Sequence, residues 1–263
     1  MKMPAAGILC AVLCVLPLAS QDLPEWVQQI AAIKQQEGRN LASIPNYVCS
    51  ETVYRSAKGA KSRSFYNLDT LHFDVAHVGN RDLLALPGAS KFEDVSLSHF
   101  FSSGLLATGE FSATANNLFT ANSARFTPHP KGDAILQLAL GFDYEIPVFL
   151  SAWNISAGSH SAMVGSRGTI WVDPHSLELK RIEERAVDIP GVLGMSAIDV
   201  SIDYWRMQIG SSLVRLPNNA EMVVTDLAGG AQRNVIEFSG CREFTADSTI
   251  KFDTLTEPPP KKK

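Results

Sequence analysis

The sequence predicts a mainly β domain of the α+β class, in which a curved antiparallel sheet is covered by an N-terminal helix and a short helical or loop insertion. Runs of aromatic and β-branched residues recur along most of the chain, separated by Gly, Asn, Pro and Ser. Because short turns join antiparallel neighbours, consecutive runs predict a meander. One amphipathic helix pattern precedes them, and the concave face of a curved sheet needs such a cover.

The first twenty residues indicate export. Lys2 is followed by the apolar stretch Ile8 to Leu18, and Leu18-Ala19-Ser20 offers small residues for cleavage. This pattern is typical of a secretory signal peptide, and the apolar stretch is too short for a permanent membrane anchor. We therefore expect a periplasmic or secreted protein without a transmembrane anchor after cleavage.

The chain divides into a signal peptide at 1–20, one β-rich domain at 21–256 and a tail at 257–263. The tail consists mainly of proline and lysine, a composition that predicts disorder because it cannot bury apolar surface. The net charge is −4 and no basic stripe is present. Nucleic acid is therefore not an expected partner, since phosphate binding needs clustered Lys and Arg.

The opening helix is predicted over Asp22 to Leu41. Asp22 suits its N-cap and Pro24 its first turn, whereas Pro45 prevents its continuation. An apolar stripe at helical spacing gives the helix a packing face, formed by Trp26, Ile30 and Ile33.

Strands are predicted on both sides of an irregular insertion at Leu97–Leu118, which suggests short helices or a long crossover loop. The strands before it are Tyr47–Ser56, Ser64–Val78 and Arg81–Leu86. Those after it are Arg125–Pro128, Ala134–Ile146, Phe149–Ile155, Thr169–Asp173, Leu177–Ile189, Ile198–Ile209, Ala220–Leu227, Asn234–Phe244 and Thr249–Phe252.

The apolar side of one strand changes along its length. Ile198, Val200, Ile202 and Tyr204 share one face, whereas Trp205, Met207 and Ile209 occupy the other. This change predicts a β-bulge or a strand end that is buried on both sides.

Two cysteines remain in the domain once the signal peptide is removed. In an oxidising compartment, Cys49 and Cys241 predict a disulfide, and two separate buried thiols are the alternative. The disulfide would require the first and last strands of the domain to lie close together.

Sequence motifs for common catalytic sites are absent. There is no GxSxG elbow, HExxH pair, CxxC motif or P-loop, and the six histidines show no metal-ligand spacing. We expect a non-enzymatic protein without metal or cofactor. A catalytic triad assembled from distant residues stays open, so a secreted hydrolase is retained as a third hypothesis.

Two sets of residues are candidates for ligand binding. Arg181, Glu183 and Arg185, the polar band, fall on one strand face together with Leu179. The band is either a solvated ladder or a polar strip that orients a ligand head group in an apolar cleft. Large aromatic residues are either core filler or the lining of an apolar cavity, and the candidates are Phe142, Trp153, Trp171 and Trp205.

Several segments resemble a group of exported bacterial proteins of uncharacterised function that is typical of Acidobacteria. They are Ile44-Pro45-Asn46-Tyr47-Val48-Cys49, Gly168-Thr169-Ile170-Trp171-Val172-Asp173-Pro174, Leu179-Lys180-Arg181-Ile182-Glu183, Asp188-Ile189-Pro190, Asn234-Val235-Ile236-Glu237-Phe238, Arg242-Glu243-Phe244 and Ser248-Thr249-Ile250-Lys251-Phe252. The Trp-x-Asp-Pro hairpin also resembles, more distantly, that of the LolA and LolB lipoprotein carriers and related periplasmic sensors. This second resemblance implies a half-barrel covered by helices, with a cavity for acyl chains.

Three functions follow as hypotheses. The first is an envelope protein that binds a lipid, an acyl chain or a lipoprotein segment in the concave face of the sheet. The second is a protein-interaction or structural module whose envelope partner docks on a sheet edge or on the polar band. It predicts a filled core and an exposed patch. The third is the secreted hydrolase.

Overall fold

A computed structural model describes residues 23–79, 81–89, 92, 111–130 and 139–244. The predicted signal peptide, the tail at 257–263 and the predicted strand Thr249–Phe252 lie outside the described residues. So do the start of the predicted insertion, up to residue 110, and the first part of the predicted strand Ala134–Ile146.

The structure confirms a mainly β fold built on a large, curved antiparallel sheet that does not close. Within the described ranges, ten strands form this main sheet in the order β3-β2-β1-β12-β11-β10-β9-β8-β5-β4. Its strands are β1 Tyr47–Lys58, β2 Tyr66–Val78, β3 Arg81–Ala85, β4 Arg125–Pro128, β5 Leu140–Ile146, β8 Gly165–Val172, β9 Leu179–Val187, β10 Met195–Ile209, β11 Ser212–Asp226 and β12 Ala231–Glu243.

The meander is interrupted between β5 and β8, where the predicted strand Phe149–Ile155 is wrong. Val148–Leu150 forms a 3-10 turn after Pro147, which supplies no backbone N–H for a strand ladder. A separate hairpin follows, with β6 at Asn154–Ala157 and β7 at His160–Met163. The hairpin leaves the main sheet, so β5 pairs directly with β8.

One face of the main sheet carries the hydrophobic core. The cross-strand register aligns a row of residues that are at most 4% exposed: Phe142, Ile170, Ile182, Ile202, Ala220 and Ile236. Two helices pack on this row, and we call this side the covered face. Side chains at the alternate positions point to the opposite side, which we call the open face.

The first helix, α1, spans Glu25–Ser43, so it starts after Pro24 and not at Asp22. Pro24 occupies the N-cap position and provides no side-chain cap, and Asp22 lies outside the described residues. Ile30 and Ile33 are buried in the core, as their spacing predicts. The helix ends two residues before Pro45, whose ring disfavours helical backbone in the residue that precedes it.

Polar contacts also hold α1 on the sheet. The Asn40 side chain donates to the carbonyl of Arg215 over 2.9 Å and accepts from its N–H over 2.8 Å. Glu37, on the same side of α1, forms a buried ion pair with the Arg215 guanidinium. Burial raises the pKa of Glu37 and lowers the pKa of Arg215, whereas their mutual attraction opposes both shifts.

A second helix, α2, spans Phe111–Phe119 at the end of the predicted insertion. Its residues Ala115, Leu118 and Phe119 are buried in the same core as α1 and the sheet. The described part of the insertion is therefore helical and covers the sheet, as the sequence predicts.

The change of apolar side in β10 coincides with a register shift between Asp203 and Tyr204. Beyond it, Ile209 is buried in a small second cluster with Val214 and Leu216. Cys241 of β12 packs against this cluster and is joined to Cys49 of β1 by a disulfide bond. β1 and β12, the first and last strands in chain order, are thus neighbours in the sheet and are also covalently linked.

A second register shift corrects the predicted face of Leu179. Trp171 pairs with Arg181 but Val172 pairs with Leu179, which leaves Lys180 as an extra residue in β9. Leu179 is therefore turned into the core and does not share the face of the polar band.

Candidate functional site

The polar band lies on the open face, and its members bond to the neighbouring strand. Arg181 donates to Glu183 and to Asp203, each over 2.9 Å. Arg185 donates instead to Asp199, its direct cross-strand neighbour, over 2.5 Å, and this bond raises the pKa of Arg185. Glu183 thus accepts from one arginine of the band and not from both.

Trp171 lies beside the band on the open face. Its indole N–H donates to Glu183 over 3.2 Å, and its ring meets the edge of His129 at 4.9 Å. Gly141 stands directly across from it, and a Cβ there would lie 2.8 Å from the indole. The missing side chain at Gly141 therefore makes room for the buried ring.

A cleft of about 730 Å³ crosses six strands of the open face, from β4 to β11, and we call it the band cleft. Its lining is strongly charged, with both signs present. The open-face side chains are Arg125, Thr127, Asp143, Glu145, Arg167, Thr169, Glu183, Arg185, Asp199, Ser201, Glu221 and Val223. Carboxylates outnumber guanidinium groups among them, so the cleft favours an occupant with positive charge.

Ser201 sits in the band cleft between two carboxylates. The register pairs Ser201 with Glu183 on one side and with Glu221 on the other. A small side chain between two acidic ones leaves an acidic slot. Within the described residues, Glu221 has no ion-pair partner, so its charge is available to an occupant.

A second cleft of about 690 Å³ adjoins the band cleft, and the two share Glu183. The last β9–β10 pair is Arg181 with Asp203, so the following residues of β10 have no β9 neighbour. Trp205 lies there, 65% exposed, on the same side of β10 as Asp203. We call this space the Trp205 cleft.

The four predicted aromatic residues do not come together in one cavity. Phe142 is 1% exposed in the core of the covered face, and Trp153 packs at the margin of that core. Trp171 follows Ile170, the core partner of Phe142, in β8. Because adjacent strand residues point to opposite sides, Trp171 lies on the open face, and Trp205 lies there too. Trp205 alone is largely exposed.

Two histidines contact carboxylates, as a hydrolase would require. His77 Nδ1 lies 2.7 Å from Asp82, and His129 Nδ1 lies 2.7 Å from Asp143. The hydroxyl of Thr169 donates to the same Asp143 oxygen and not to the imidazole, so it is not arranged as an activated nucleophile. No group of three or more potential metal ligands occurs within the described ranges.

Glu51 is a buried carboxyl that the sequence analysis missed. It is 1% exposed on the covered face, between Phe73 and Phe238, and neither carboxyl oxygen has a hydrogen-bond partner among the described residues. Burial, aided by the charge of Asp82, raises its pKa to about 8. Its position in phase with Val53, a core residue, was the signal that could have found it.

Close packing on the covered face requires Gly168, which pairs with the core residue Tyr144, and Gly168→Ala is expected to unfold or strongly destabilise the protein. Tyr144 donates to the carbonyl of Glu183 over 3.2 Å through the space that a side chain on Gly168 would occupy. The new Cβ would overlap that carbonyl oxygen, and backbone cannot move aside cheaply. We expect a loss of about 3 kcal/mol or more in urea unfolding.

The matched control for this prediction is Gly191→Ala, because no atom lies within 4 Å of a Cβ at that position. Its free energy of unfolding should change by less than about 0.5 kcal/mol. Equal unfolding midpoints for the two variants would contradict the tight packing over Gly168.

Solved structures resemble this chain distantly in shape. No protein-family model matches the sequence, and no curated protein matches it either. A solved DUF1329 family protein from Desulfovibrio piger is 13% identical with a TM-score of 0.39, over 83% of this chain and 94% of that one. A domain from Vibrio parahaemolyticus, named for outer membrane lipoprotein sorting, is 11% identical with a TM-score of 0.39, over 82% and 92%.

A domain named for lipoprotein sorting is thus among the solved structures that this chain resembles distantly, as the sequence predicts. In the part of the chain that the structure describes, no helix has the length and apolar character needed to cross a membrane.

Proposed function

We propose that this protein is a non-catalytic extracytoplasmic binding module that holds an extended polypeptide segment of an envelope partner in the band cleft. The observation that carries the proposal is the cleft itself, a charged trough across six strands on the face that no described helix covers. This function matches the second of the three hypotheses from the sequence.

The dimensions of the trough suit an extended chain. Six adjacent strands spaced about 4.8 Å apart make the trough about 24 Å wide, and along β10 it continues into the Trp205 cleft, so an extended segment can lie along this strand. Both signs of charge line the trough, so a polypeptide with mixed side chains finds complementary groups along it.

The covered face supports an acyl ligand less well. The positions of the covered face that an acyl chain beneath the helices would occupy hold Phe142, Ile170, Ile182 and Ile202, which are at most 1% exposed and pack with the helices. These side chains form a close-packed core, and a ligand there would have to displace them.

Photo-crosslinking from the cleft tests the proposal. Photoreactive p-benzoylphenylalanine replaces Val223 in the cleft, in the full chain within the cells that export it. The control places the same group at Leu68, which is 45% exposed on β2, away from the cleft. Mass spectrometry then identifies any adducts.

The expected result is a discrete protein adduct from Val223 that is absent from Leu68 and is lost when Glu221→Lys is added. Lipid adducts alone, equal adducts from both positions, or no protein adduct would overturn the proposal.

A further inference from the structure

We propose that the occupant of the open face carries a basic side chain and, four residues along an extended backbone, an aromatic side chain. The basic group enters the acidic slot at Ser201, and the aromatic ring packs on Trp205. This inference rests on the proposed function, because it names the chemistry of the segment held there.

The spacing comes from β10 itself. Ser201, Asp203 and Trp205 alternate on the open face, so each step of two residues covers about 6.6 Å and the distance from slot to indole is about 13 Å. An extended segment lying along β10 covers the same distance in four residues, with both side chains on the same side.

Between the slot at Ser201 and the Trp205 indole, the open face already carries charged side chains of the protein. Arg181 bridges Glu183 and Asp203 there, each over 2.9 Å. A large or charged side chain of the occupant would disrupt this bridge, so a small residue suits the intermediate position.

The two clefts differ in charge, which orients the occupant. The slot at Ser201 is flanked by Glu183, which already accepts from Arg181 and Trp171, and by Glu221, which has no ion-pair partner within the described residues and therefore attracts a lysine or arginine. In the Trp205 cleft Arg181 already pairs with Glu183 and Asp203, and Lys180 lies beside them, so this cleft does not favour a second cation. The exposed indole and the aliphatic parts of these long side chains suit an aromatic ring instead.

The test uses two peptides of the same composition, each about nine residues long, fluorescein-labelled and built on serine and threonine. One has phenylalanine four residues after lysine, and the other has it three residues after, on the opposite side of an extended chain. Fluorescence anisotropy measures binding to the wild type, Trp205→Ala, Glu221→Gln and Tyr66→Ala. Tyr66 is an aromatic residue that is 60% exposed, on β2.

We expect the four-spaced peptide to bind the wild type about three- to tenfold more tightly than the three-spaced one. That preference should vanish in Trp205→Ala and persist in Tyr66→Ala, whereas Glu221→Gln should weaken both peptides. Equal binding of both peptides that is still weakened by Glu221→Gln would overturn the spacing and leave the proposed function standing. Binding of neither peptide would overturn the inference, and the photo-crosslinking result then decides the proposed function separately.

Discussion

Removal of the Cys49–Cys241 disulfide is expected to lower the free energy of unfolding by up to about 5 kcal/mol. The two cysteines are 192 residues apart in sequence, so the bond restricts nearly the whole unfolded domain. In the folded state it links β1 to β12, whose pairing joins the beginning of the domain to its end. The loss therefore arises mainly from the greater freedom of the unfolded chain.

The double variant Cys49→Ala/Cys241→Ala measures this effect by urea unfolding of the mature chain. Reductant should destabilise the wild type and leave the variant unchanged, which separates the bond from the loss of sulfur atoms. A double variant with the unfolding midpoint of the oxidised wild type would contradict this prediction.

Glu51 is expected to make the protein less stable as the pH rises from 5 to 8. The folded state holds its proton up to a pKa of about 8, whereas the unfolded carboxyl releases it near its ordinary value of 4.5. Between these values folding takes up a proton, so stability is greatest at low pH and falls as pH rises. The expected loss attributable to Glu51 is about 3 kcal/mol across this window.

Glu51→Gln removes the ionisation and should flatten this part of the pH dependence. The measurement is the free energy of unfolding of both proteins at several pH values, taken as a difference so that other groups cancel. Glu237→Gln, an exposed carboxyl on the adjacent β12, is the control and should leave the slope unchanged. Parallel curves for the wild type and Glu51→Gln would contradict the buried, unpartnered state of Glu51.

The sequence predicts the sheet because alternation is local. Ile198, Val200 and Ile202 alternate along one strand, and they indeed lie together in the core. The change of apolar side after Tyr204 is likewise visible in β10 alone, and it indicates the second cluster, in which Ile209 is buried. Such features require only the residues of one strand.

Features that depend on register are beyond a single sequence. Arg185 bonds Asp199 and not Glu183, because Asp199 is its neighbour on another strand. The extra residue Lys180 turns Leu179 into the core, although its spacing from Arg181 indicates a shared face. One inserted residue reverses every side chain on that part of the strand.

The candidate site depends on register in the same way. The polar band was visible in the sequence, but the acidic slot was not, because Glu183, Ser201 and Glu221 come from three different strands. The helices also determine which face of the sheet is buried. The contact of Glu37 in α1 with Arg215 in β11 joins residues 178 positions apart in the sequence, so no local pattern indicates it.

We propose that protein side chains fill the covered face and that the open face takes the ligand. The decisive experiment is mass spectrometry of organic extracts from the natively purified mature chain. We expect a folded protein without a stoichiometric lipid or acyl species. One acyl or lipid molecule per chain would contradict it, and would place the ligand beneath the helices instead.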